Sequence, residues 1–97
     1  MKIIALFNLK DGVTSAKLAE TISRRMEFKF PEGLELLAEY WTPVAAPAVI
    51  GIFEASDPAA IMANSASWID VFNVGAILPI TDWQEGGKKL GKLLKKV

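Results

Sequence analysis

The chain has no cysteine and no histidine in 97 residues, and its 11 basic and 11 acidic side chains leave no net charge. Without cysteine there is no disulfide, no thiolate-ligated zinc, no iron–sulfur cluster and no thiol nucleophile. Without histidine there is no imidazole acid–base chemistry, no Ser-His-Asp triad and none of the commonest transition-metal ligand. No metal or cofactor is expected; only a carboxylate site for a hard cation stays open. No nucleic-acid partner is expected. The longest uncharged stretch, Tyr40–Phe53, is broken by Pro43 and Pro47, so no transmembrane helix is expected. Ile3–Leu9 is too short, and too soon followed by Lys10 and Asp11, to read as a secretory signal. The expectation is a cytoplasmic protein.

What is present is apolar. Apolar residues make up 52% of the chain and charged ones 23%, which argues against disorder and for one small domain. Met1–Lys10 alternates Ile3, Ala5, Phe7 and Leu9 with Ile4 and Leu6, the pattern of a strand covered on both sides. Asp11-Gly12 marks a turn. Thr14 or Ser15 starts a helix reaching about Phe28, with Leu18, Ile22 and Met26 as its apolar stripe and Lys17, Glu20 and Arg24 elsewhere. Pro31-Glu32-Gly33 closes this unit. Leu34–Trp41 reads as a second strand, Leu34, Leu36, Ala38 and Tyr40 on one parity and Glu35, Leu37, Glu39 and Trp41 on the other. After a proline-bearing loop, Ala48–Glu54 is a third strand, apolar on both parities. Asp57 caps a second helix with Pro58 in its first turn. Ile61, Ser65, Trp68 and Phe72 form its inner face. Val74–Ile80 is a fourth strand, and Pro79 places it at an edge.

The order strand–helix–strand–strand–helix–strand is the split βαβ, or ferredoxin-like, pattern of an α+β fold with a four-stranded antiparallel sheet. Right-handed crossovers put the first and third strands in the centre. Both helices then cover one face, yet the two central strands are apolar on both. Two covers are open for the second face. One is a second copy of the chain, giving a dimeric α/β barrel; the other is the C-terminal segment folded back. The dimer is the expected one, because exposed apolar patches of this size mark interfaces.

The organisation expected is a domain over 1–82 and a Lys-rich amphipathic helix over 83–97. The latter holds five lysines and one glutamate, a net charge of +4 against −4 for residues 1–82. Leu90, Leu93, Leu94 and Val97 form its stripe, and Gly86-Gly87 offers a hinge. Three destinations fit such a helix: the acidic body or dimer mate, an anionic membrane surface, or nucleic acid. The first is expected; the stripe is short and the segment has no arginine, the usual bidentate reader of bases.

Three segments carry a resemblance: Pro31-Glu32-Gly33 followed by Leu36-Leu37 and an aromatic pair; Glu54-Ala55-Ser56-Asp57-Pro58-Ala59-Ala60; and Trp68 eleven residues before Pro79-Ile80. In their order and spacing the chain resembles a small prokaryotic family of unknown function with a ferredoxin-like fold, related to the dimeric α/β-barrel superfamily. It departs from that pattern at Phe7-Asn8, where a tryptophan is common, and in its Lys-rich tail. The resemblance supplies no catalytic residues.

Candidate ligand-binding residues are therefore read one by one. Asn8 shares a parity with Ile4 and Leu6, and is either bonded to backbone at the strand end or the anchor of a ligand. Tyr40 and Trp41 point to opposite faces, so one packs and the other lines a rim. Trp68 sits on an apolar helix face. Glu54 ends the third strand beside a helix start, a surface carboxylate or, if desolvated, a base. Asp70 and Asn73 have no identifiable partner. The function expected is a non-catalytic module, homodimeric, that binds a small apolar ligand or serves assembly. The alternative is a cofactor-independent enzyme, a monooxygenase or isomerase of a small aromatic substrate, with Asn8, Tyr40 and Glu54 in play.

Overall fold

A computed structural model describes residues 1–95. The elements run β1 (Lys2–Leu9), α1 (Ser15–Glu27), β2 (Leu34–Trp41), β3 (Val49–Ala55), α2 (Pro58–Ser67), β4 (Phe72–Pro79) and α3 (Trp83–Lys95). The sheet is antiparallel throughout, in the order β2-β3-β1-β4. This is the ferredoxin-like α+β arrangement with a further C-terminal helix, and β1 and β3 are its central strands. Local chemistry accounts for the boundaries. Thr14 Oγ1 accepts from the Lys17 amide at 3.1 Å and starts α1. Asp57 Oδ1 accepts from the Ala59 amide at 2.9 Å, with Pro58 opening α2. Gly33, at φ +96, makes the left-handed turn into β2. Pro79 is the last residue of edge strand β4, where its missing N–H breaks no ladder.

Alternation sets the faces. Ile3, Ala5 and Phe7 of β1 and Val49, Phe53 and Ala55 of β3 are buried, in one core with Ala60, Trp68, Val71 and Phe72. Ile4, Leu6, Ile50 and Ile52 point the other way and are only half-buried. That outer face, with Tyr40 and Leu78 exposed near its edges, has nothing over it among the described residues.

Three expectations need correction. The parity of β2 does not run through: Leu36 pairs with Phe53 and Ala38 with Ile52, so Leu37 is an extra residue, a bulge. Past it the faces exchange. Glu39 and Trp41 lie opposite Gly51 and Val49 on the helix side, while Ala38 and Tyr40 lie outside. On α1 the expected stripe is not the inner one. Met26 is 79% exposed and Ile22 is exposed too; Thr21 is buried, with Arg24, Arg25 and Phe28 beside it. The two arginines bury their stems because each guanidinium has a carboxylate to reach. Phe72 is not on α2, which ends at Ser67; it opens β4, its ring 6.4 Å from that of Phe7. The alternative cover for the outer face, the C-terminal segment, does not lie on it. Helix α3 runs unbroken through Gly86 and Gly87 and buries none of its residues, in a molecule 54 Å long and 17 Å thin. Trp83, Leu90, Leu93 and Leu94 of its apolar face are exposed. Lys96 and Val97 lie outside the described residues. No helix among the described residues is long and apolar enough to cross a membrane.

Candidate functional site

Between the sheet and its two helices lies a cavity of about 40 Å³, partly open to solvent. Aromatic contacts build its walls. Trp68, Phe28, Phe30 and Phe53 follow one another in tilted and edge-on contacts, with centroid separations of 4.9, 5.2 and 5.3 Å; Trp68 and Phe30 line the cavity and the other two rings back them. On the other side Trp41 meets Phe72 edge-on at 6.0 Å. Gly51 lies in the floor, where any side chain would run into the Phe53 ring.

The polar lining is an ion pair and an amide. Arg25, in the last turn of α1, donates from Nε to both Glu39 oxygens at 2.9 and 3.0 Å and from Nη2 to Oε1 at 2.7 Å. Trp41 donates from Nε1 to Glu39 Oε2 at 2.7 Å. Burial works to raise the Glu39 pKa, but the Arg25 and Trp41 donors outweigh it and hold the carboxyl below its usual range. Such a carboxylate is a poor proton acceptor. The amide is Asn64, third in the inner row Ala60, Ile61, Asn64, Trp68 formed by α2 and its C-cap. It is 4% exposed, and its Oδ1 accepts no hydrogen bond among the described residues.

A second cluster sits beside the cavity. Arg24 donates from Nη1 and Nη2 to Asp70 at 3.0 and 2.9 Å, and Lys17 Nζ lies 3.0 Å from the same carboxylate. Those donors hold Asp70 far below the usual carboxylate range. The expectation that Asp70 has no partner is thereby corrected: it ties α1 to the end of α2. The Arg24 guanidinium also lies 4.7 Å from the Trp68 ring centroid, a cation–π contact that backs the cavity wall.

Of the five residues singled out in the sequence, Trp41 and Trp68 line this cavity. Asn8, Tyr40 and Glu54 do not; they stand on the outer face. Asn8 lies opposite Asn73 and against Gly75, whose missing side chain makes room for the amide. Tyr40 is 60% exposed. Glu54 takes the N-terminal ammonium at 2.7 Å. Sequence reasoning missed Arg25, Glu39 and Asn64. Asn64 had a signal: it stands four residues after Ala60 and four before Trp68, an amide at the centre of an apolar row. Glu39 had none, because its face depends on the bulge.

A family model described as a domain of unknown function, DUF3303, matches residues 3–94. The chain belongs to the DUF3303 family. The match takes in α3 and its lysines up to Leu94, so the Lys-rich helix lies within the DUF3303 span and is not an addition to it. No curated protein and no solved structure matches the chain.

Proposed function

We propose that this DUF3303 chain is a homodimeric module of the dimeric α/β-barrel type that binds a small apolar or aromatic molecule without transforming it. The observation that carries the reading is the aromatic-walled cavity whose one carboxylate is already spent. Glu39 has both oxygens engaged by Arg25 and Trp41. Pockets that bind small molecules are mostly apolar with a few fixed polar groups, as here. Catalysis by the outer-face groups finds less support, since Glu54 and Tyr40 both stand in solvent. Dimerisation is supported by the outer face, where Ile4, Leu6, Ile50 and Ile52 of two central strands form a continuous apolar patch. The opposite charges of α3 and the body favour its lying along the partner. A cytoplasmic setting accords with a chain free of cysteine.

Two measurements test this. Sedimentation at micromolar protein is expected to give a species of twice the 10.6 kDa chain mass. Titration with toluene, followed by NMR, is expected to shift the indole signals of Trp41 and Trp68. A lone monomer removes the barrel; indole signals unmoved at toluene saturation remove the binding site.

A further inference from the structure

The aromatic walls define where a ligand lies, and the polar atoms define what it must carry. Asn64 is the first of these. A buried amide oxygen without a donor costs stability, and folded proteins rarely leave one so. Asparagine is also a weaker helix former than leucine. The second is Arg25. Its fork spends Nε and Nη2 on Glu39, which leaves Nη1 with no protein acceptor among the described residues. Both side chains line the same cavity.

We infer that the cavity is a binding site for a neutral carboxamide on a small aromatic ring. The inference rests on the ligand-binding reading above and names the ligand's chemistry. With its oxygen turned to the cavity that it lines, Asn64 accepts from a carboxamide N–H, and the carboxamide carbonyl accepts from Arg25 Nη1. In the opposite rotamer Asn64 and Arg25 would both present N–H donors and the ligand N–H would have no acceptor, so the orientation of the Asn64 amide is part of the inference. Net charge excludes the obvious competitor. Arg25 and Glu39 already neutralise each other, so a carboxylate entering the site brings an uncompensated charge into an aromatic box. Size agrees as well. A cavity of about 40 Å³ takes the three heavy atoms of the head group, and the ring rests towards the mouth against Trp41, which is 42% exposed.

The experiment titrates the full chain with benzamide, benzoate and toluene, reading the Trp41 and Trp68 indole signals and the Asn64 side-chain amide by NMR. Benzamide is expected to bind at least about tenfold more tightly than either competitor, because a site built to hydrogen-bond penalises a ligand that cannot. In Asn64→Leu the preference for benzamide over toluene is expected to vanish while toluene binding persists. The ranking on the unaltered chain stands as a test even where the variant is poorly folded. Equal binding of benzamide and toluene overturns the inference and leaves the binding module intact; it means that trapped water satisfies Asn64. Tighter benzoate overturns it in favour of an anion site at Arg25. A benzamide preference that survives Asn64→Leu overturns it too. No response to any of the three removes this inference and the parent reading together.

Discussion

Deleting Leu37 is the most discriminating perturbation of this fold. If β2 were a regular strand, removing one residue would move everything after it to the opposite face. Glu39 would leave Arg25, and Trp41 would leave Phe72. With a bulge the outcome is different. Leu36 and Ala38 already pair with the adjacent residues Phe53 and Ile52, and Leu37 is the residue left over. Its deletion converts a bulged strand into a plain one, with Leu34, Leu36, Glu39 and Trp41 still inward. The cost is the packing of Leu37 itself. That side chain is 47% exposed, so roughly half of a leucine's burial is lost, about 1 kcal/mol. Some change in local twist comes with it. Urea unfolding followed by tryptophan fluorescence measures the stability, and the Trp41 indole N–H signal reports whether its bond to Glu39 survives. A cooperative transition within about 2 kcal/mol of the parent, with the Trp41 signal protected from exchange, is expected. A loss of 4 kcal/mol or more, or a solvent-exposed Trp41 N–H, refutes the bulge and with it the placement of Glu39 in the cavity.

The remaining predictions concern the ion pair, the outer face and the arm. Glu39→Gln strands a mostly buried Arg25 and is expected to cost about 2 kcal/mol at neutral pH, between the limits for surface and buried pairs. Because the folded-state pKa of Glu39 lies below its ordinary value of 4.5, the parent keeps this stabilisation above that pH and loses it as the pH falls through the folded value. The gap between parent and variant in urea midpoint should therefore close in acid, and a gap that widens below pH 4.5 contradicts the pairing. Ile52→Lys puts a charge in the middle of the outer face; sedimentation should show monomer with an unchanged circular dichroism spectrum, and a persisting dimer places the interface elsewhere. In that monomeric variant, truncation after Asp82 should move the thermal midpoint by no more than about 2 °C, since α3 buries none of its residues against its own body. A larger drop would mean that the helix docks on its own chain.

How much was legible depends on whether the deciding contact is local. The caps at Thr14 and Asp57, the turn at Gly33 and the edge proline at Pro79 act within a few residues, and the element order with its two doubly apolar central strands follows from them. The inner faces of α1 and β2 were misread, and for one reason. Arg24 and Arg25 face inward because Asp70 and Glu39, far away along the chain, receive them. Ile22 and Met26 look like core from their spacing but lose that place to two arginine stems. Likewise Asn64 announces itself within its own helix, whereas nothing in β2 says that Leu37 stands outside the ladder.

By itself the sequence determined the class of fold, the strand order and the excess of apolar surface on the central strands, because hydrophobic periodicity and capping are properties of neighbouring residues. Tertiary structure alone decided that Glu39, Trp41, Arg25 and Asn64 share one cavity and that α3 stands clear of the body. A bulge changes which side a residue faces without changing its spacing, and a guanidinium turns inward only when the fold brings a carboxylate to meet it.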